Sequence, residues 1–457
     1  MSSNDRAGPQ RHLSILDAIC VIVGIVVGTG IYKSPILVAL NTSGAGAMML
    51  AWAAGGLLCF CGALSYAELA AAYPHVGGEY VYLSRSFGPM VGFLFVWARA
   101  TVIQSGTIAA TAYVFGDYMS ALSGMGTLGP IGWALQATVA LTACNVVGLR
   151  TGAWTQNLLT GAKVAGVLGI VVAGLVLVSP AAVPAAATAP ADASAGPGLA
   201  AFGLAMVFVL YAYGGWNEAA YVAGELRRKP RDMFWVLLIS VALLTGLYLV
   251  VNFAYLRALG FERMRASPVV AAETVARAFG AGGRVAVTAL VAVSALGAAN
   301  GCLFTGSRAI CALGDDWPLF RPLGRWHARF RTPVNAVLLQ GAVSCALIVL
   351  PALSRDLRES LGSGFQTAVE YTAPTFWAFF LLTGVAVVVL RFKDPSTPRP
   401  FRVPLFPVTV GAFCLMCAYM LYSSLDYRSA GATVGLYVLL AGVPLYALCR
   451  SRKRAAG

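Results

Sequence analysis

Long apolar runs separated by short polar segments make up most of this chain, and about twelve of them approach the roughly 20 residues that carry a helix across a bilayer. They cover approximately residues 14–38, 46–72, 88–121, 128–147, 154–178, 201–222, 233–256, 284–312, 334–351, 366–390, 404–425 and 431–449. The third is long enough to imply tilt or an interfacial start. Two runs interrupt their own pattern. The first reads GIVVGTGIYKSP, with Gly28, Thr29 and Gly30 at its centre, and the sixth reads VLYAYGGWNEAAY, with Gly214 and Gly215.

In hydrocarbon every backbone N–H and C=O needs a partner, so unwound backbone at mid-membrane survives only where it is buried in protein or lines a cavity. A broken helix leaves free N–H groups at one end of the gap and free carbonyls at the other. The first hold a carboxylate and the second an ammonium group, which together describe an amino acid. Glycine also serves close helix packing. Two interrupted runs in matching positions favour a transporter.

Composition agrees with an integral membrane protein. Of 457 residues, 59% are hydrophobic and 11% charged, and the mean hydropathy is +0.76, against about 25% charged residues in soluble domains. Arg6 and Arg11 precede an apolar stretch too long for a signal-peptide core, which makes the first run a span and not a cleaved leader. The formal charge of +14 is unevenly spread. With the N-terminus inside, 21 of the 32 basic residues fall on the cytosolic side and eight outside, while Lys33, Arg99 and Lys163 lie within spans. The positive-inside rule then places both termini in the cytosol.

The Ala/Pro-rich stretch 180–199 forms an external connection between the fifth and sixth spans. It divides the chain into a cytosolic tail at 1–13, a five-helix unit at 14–179, a second at 200–390, and two further helices with the C-terminal tail at 391–457. Units with an odd number of spans lie upside down relative to each other, the inverted architecture of many secondary transporters. Residues 268–279 read as a short amphipathic helix, either a lid or an interfacial element. Cys414 and Cys417 form a CxxC in mid-helix without histidines or a second pair, which reads as packing. HExxH, Walker and GxSxG patterns are missing from the sequence, and nothing in it calls for a cofactor, metal or nucleic acid.

Five strings in order resemble the amino acid, polyamine and organocation transporter superfamily, closest to its L-type amino acid transporter branch and bacterial permeases. They are Gly28-Thr29-Gly30-Ile31-Tyr32; Ser65-Tyr66-Ala67-Glu68-Leu69 with Gly77-Gly78-Glu79-Tyr80; Tyr211-Ala212-Tyr213-Gly214-Gly215-Trp216-Asn217; Asn300-Gly301 with Ser307-Arg308; and Arg399-Pro400-Phe401-Arg402-Val403-Pro404. The resemblance implies an all-α leucine-transporter fold with a 5+5 inverted repeat. It implies that Gly28, Thr29 and Gly30 receive the substrate carboxylate and that Tyr211, Ala212, Tyr213 and Gly214 surround the amine, with Tyr211 as an aromatic gate. It further implies that Lys163 sets its amine where other members hold sodium; snorkelling to the cytosolic interface is the ordinary alternative for such a residue. A charge at mid-membrane costs at least about 2.5 kcal/mol. The animal members' heavy-chain cysteine has no counterpart in the segment 120–129, so a stand-alone carrier is expected.

Glu218 follows Trp216-Asn217 where an uncharged residue is common among members. It reads either as a selector of cationic substrates or as an ion-pair partner of Lys33 or Arg99. The expectation is a sodium-independent permease for neutral amino acids in a bacterial inner membrane, working as exchanger or proton symporter. The rivals are a carrier of cationic amino acids or polyamines and a transporter-like nutrient sensor, the latter disfavoured by the short tails.

Overall fold

Each apolar run becomes a helix because lipid leaves the backbone no other way to satisfy its own polar groups. The computed structural model describes residues 13–123, 129–178, 199–226, 232–267, 270–353, 365–426 and 430–455. The expected external connection falls almost wholly outside these residues, as do most of the tails. Among the described residues nine helices are long and apolar enough to cross a membrane. The three remaining runs of the expected twelve are the two broken ones and the ninth, whose apolar part, Val334–Leu350, is shorter.

The first run is α1 (Ile15–Val26) followed by α2 (Gly30–Leu40). Ser14 and Asp17 form a capping box at the start of α1. At its end the ladder tightens, with Val27 N–H donating to Val23 O at 2.8 Å and Gly28 N–H to Val26 O at 2.7 Å. Next come α3 (Ala45–Ala72), the short α4 (Glu79–Phe87), and a continuous span made of α5 (Pro89–Ala98), a π turn (Arg99–Ile103) and α6 (Gln104–Ser123). A π turn inserts one residue into the ladder and frequently marks a functional site. Helices α7 (Pro130–Val147) and α8 (Leu149–Val172) close the first half.

The sixth run is α9 (Leu199–Tyr213), a gap at Gly214 and Gly215, a 3₁₀ turn (Trp216–Glu218) and the short α10 (Ala219–Val222). Gly215 has φ of 114°, a left-handed value that costs glycine little and other residues more. Helix α11 (Asp232–Leu259) leads through α12 (Phe261–Ala266) to α13 (Val270–Asp316), which kinks at Gly280 with φ of 60°. The segment before that kink is helical, as its pattern predicts, and Arg277 anchors it to Ala258 O. Helices α14 (Val334–Leu353), α15 (Phe365–Lys393), α16 (Val408–Asp426) and α17 (Ala430–Ala455) complete the bundle.

Around the breaks, α1 packs on α8, α11 and α13, while α2 packs on α9. The latter contact brings backbone against backbone: a Cβ at Gly30 would stand 2.9 Å from Ala212 Cα. The two interrupted helices therefore cross at their gaps.

Candidate functional site

Carbonyls freed by the first break are claimed by side chains from neighbouring helices. Tyr248 of α11 donates to Val26 O at 2.9 Å, and Ser294 of α13 donates to Val27 O at 3.0 Å. The Tyr248 hydroxyl also lies 3.0 Å from Ala212 O at the second break, so one fully buried side chain stitches both gaps. Trp52 packs against Tyr248 and Tyr213, with ring centroids 5.5 and 6.0 Å away. Sequence reasoning misses Tyr248, because one tyrosine in an apolar run carries no local signal.

Between the gaps lies a cavity of about 130 Å³. Gly28, Thr29, Gly30, Tyr211, Ala212 and Gly214 are on its wall, joined by Gln104, Thr107 and Thr111 of α6, Ala298 and Cys302 of α13, and Thr372, Phe376 and Trp377 of α15. Six of the seven residues expected around substrate thus share one chamber. The seventh, Tyr213, is a correction. Two residues beyond Tyr211 on a helix of 3.6 residues per turn, it projects to the other side. Its hydroxyl donates to Trp52 O at 3.1 Å and its ring lies in the aromatic core.

Lys163 is fully buried on α8 and donates from Nζ to Gly24 O of α1. Gly297 makes room for it, since a Cβ there would meet Lys163 Cε at 2.5 Å. The lysine does not snorkel. It ties α8 to the first half of the first broken helix, below the gap. Nearby, Asn145 donates to Asn300 Oδ1 at 2.8 Å and Asn300 to Gln156 Oε1 at 2.9 Å, so the Asn300 string serves to lock α7, α8 and α13 together.

The π turn puts Arg99 against the second break. Its Nη2 pairs directly with Glu218 Oε2, and its Nη1 lies 3.8 Å from Glu79 Oε2. The guanidinium also sits over the Tyr221 ring at 3.9 Å. Tyr66 and Tyr221 both donate their hydroxyls to Glu79. Glu218 is on the cavity wall and Arg99 is not. Of the partners expected for Glu218, Arg99 takes the position; the Lys33 side chain lies outside the described residues.

Charged pairs also hold the face that carries Leu13. Glu225 is buried and forked by Arg308, while its backbone oxygen accepts from Leu13 N–H at 3.0 Å. It forms an internal ion pair. Glu68 accepts from Arg391 Nε at 2.8 Å and from Val403 N–H at 2.7 Å, which brings the strings around Glu68 and Val403 into contact. Among the described residues no three His, Cys, Asp or Glu side chains gather to hold a metal ion. The ten cysteines are free.

A helical bundle with two interrupted helices crossing beside a cavity is the architecture of a membrane transporter. Residues 13–443 match the model of the amino acid permease family. The chain is 32% identical over 412 residues to the b(0,+)-type amino acid transporter 1 of Mus musculus, covering 88% of this chain and 80% of that protein. The human protein of the same name is 32% identical over 409 residues, covering 87% and 79%. The large neutral amino acids transporter small subunit 2 of Oryctolagus cuniculus is 30% identical over 453 residues, covering 96% and 80%. The chain belongs to the amino acid permease family; it is a multi-pass transporter and not an enzyme.

Proposed function

We propose that this chain carries neutral L-amino acids across a bacterial inner membrane by alternating access, independently of sodium, as an exchanger or a proton symporter. The observation that carries this reading is the chamber flanked by both helix gaps. N–H groups at the head of α2, around Thr29 and Gly30, offer donors to a carboxylate, since the first turn of a helix leaves its N–H groups unpaired; Gly28, whose own N–H is bonded to Val26 O, lines the wall beside them without a side chain in the way. Carbonyls at the end of α9, from Tyr211 to Gly214, offer acceptors to an ammonium group, with Tyr213 contributing backbone only. Tyr211 serves as the aromatic cover, and the Lys163 ammonium replaces a bound sodium ion. The two five-helix units, 14–179 and 200–390, form the inverted repeat.

Neutral substrates are favoured because the one carboxylate among the described cavity-wall residues, Glu218, is already paired with Arg99. The rival, a carrier of cationic amino acids or polyamines, needs that carboxylate available. Segment 120–129 has no cysteine, which supports a stand-alone carrier without a disulfide-linked partner. Purified protein in liposomes, with internal unlabelled leucine or alanine and external label, should exchange them equally in sodium and potassium buffers. An imposed pH gradient separates the two modes, since only a symporter then accumulates label without internal substrate. Absence of both amino acid exchange and proton-driven uptake would refute the proposal.

A further inference from the structure

The pairing of Arg99 with Glu218 has a geometry that an ordinary buried salt bridge does not require. Glu218 stands on the cavity wall, in the turn that follows the second helix gap, with the guanidinium behind it, outside the chamber. Arg99 and Glu218 are 1% and 5% exposed. Behind the pair waits a second carboxylate, Glu79, at 3.8 Å from Arg99 and 1% exposed. Two acids thus share one base. Arg99 Nε has no hydrogen-bond partner among the described residues, and neither has Asn217 Oδ1, which belongs to a cavity-wall residue.

We infer that Arg99 is a tethered counterion that cancels the charge of Glu218 from behind the cavity wall, and that it thereby restricts this carrier to neutral amino acids. The inference rests on the neutral-substrate reading above and supplies its cause. A guanidinium pairs strongly with a carboxylate in a water-poor site, so while Arg99 is present Glu218 presents no net charge to the chamber. Without Arg99, Glu218 faces the chamber as a buried carboxylate without a counterion, and a buried charge left unpaired is unfavourable until a cation pairs with it. Groups facing this cluster from the surrounding elements are Tyr66, Tyr82, Tyr221 and Cys302, all neutral, and Lys163, which faces Cys302 from α8 and is bonded to Gly24 O. None of them replaces the guanidinium beside Glu218. Specificity set by an internal repulsive or occupying group, and not by the shape of the pocket, is a form of negative selection against the wrong ligand.

The test is radiolabelled uptake into liposomes by full-length wild type, Arg99→Gln and the double variant Arg99→Gln/Glu218→Gln, with L-leucine and L-arginine as probes. Wild type should exchange leucine and take up little arginine. Arg99→Gln should raise arginine uptake by about tenfold or more relative to leucine, and the double variant should lose that gain. Arginine uptake by wild type as fast as leucine, or Arg99→Gln that still exchanges leucine without gaining arginine, overturns the inference while leaving the transport reading intact. Failure of wild type to transport any amino acid, by exchange or under a pH gradient, overturns the transport reading itself. Should Arg99→Gln aggregate, purification with methylguanidinium in the buffer decides the matter. Recovery of monodisperse protein supports the counterion role of Arg99, and aggregation that methylguanidinium does not relieve counts against it.

Discussion

Lys163 and His75 illustrate how one side chain acquires a task from its surroundings. The Lys163 ammonium donates to Gly24 O from a fully buried position. A charge-assisted hydrogen bond of this kind contributes about 1.5–3 kcal/mol, roughly ten- to a hundredfold in the population of the conformation it holds. Lys163→Ala is therefore expected to cut exchange by that order with near-normal membrane expression. Wild-type rates in the variant would show the tether to be dispensable. His75 lies in the turn between α3 and α4, where its Nδ1 accepts from Gly77 N–H at 2.9 Å. Burial lowers its affinity for a proton, with nearby Asp315 and Asp316 opposing and Arg85 adding to the effect. The folded turn thus favours the neutral ring. Its contribution is complete above the unfolded pKa of about 6.5 and is lost as pH falls from there toward the lower folded value. Hydrogen exchange at the Gly77 amide, corrected for intrinsic rate, should speed up below about pH 6.5, and His75→Gln should remove that dependence.

At the scale of elements, the two broken helices depend on where glycine is required and where it is merely present. Gly30 is required: a Cβ would stand 2.9 Å from Ala212 Cα, and backbone cannot move aside without separating α2 from α9. Gly28 is looser, with its nearest neighbour, Ile25 O, at 3.4 Å. Gly30→Val should abolish substrate binding, and Gly28→Ala should retain most of it. Equal binding loss in the two variants would contradict the crossing geometry, as would a full-affinity Gly30→Val protein. Tyr248 links the same two gaps by its hydroxyl. Tyr248→Phe keeps the ring against Trp52 but removes the one hydroxyl proton that serves Val26 O and Ala212 O, at a cost of about 1–3 kcal/mol. Melting temperature and exchange rate should fall together in that variant; an unchanged melting temperature would argue against the stitch.

Across the whole molecule, buried ion pairs fasten the face that carries Leu13. Glu225 with Arg308 and Glu68 with Arg391 tie helix ends that are distant in sequence. Breaking a buried pair by removing one partner typically costs about 3–5 kcal/mol, so Glu225→Ala, which strands the buried Arg308, should lower thermal stability well beyond the effect of an exposed glutamate such as Glu262. From the basic asymmetry of the sequence we propose that this face is the cytosolic one. A reporter fused after residue 457 should therefore be active inside the cell. External activity would overturn the orientation and the twelve-span count together.

The sequence alone determined that the protein is a helical membrane transporter and where its helices break. Both follow from local constraints: apolar run length against bilayer thickness, and glycines placed where a lone backbone in lipid has no partner. The strings around Gly28, Glu68 and Tyr211 were legible for the same reason, since each is contiguous. Tertiary structure decided the rest. That Tyr211 faces the cavity and Tyr213 the aromatic core depends on how α9 is rotated against its neighbours, and apolar residues on every side of a membrane helix hide that rotation from the sequence. That Glu218 belongs to Arg99, Glu225 to Arg308 and Tyr248 to both gaps depends on helices up to hundreds of residues apart meeting in space. Buried polar groups in a low-dielectric interior must find partners, but the chain does not state which; packing does.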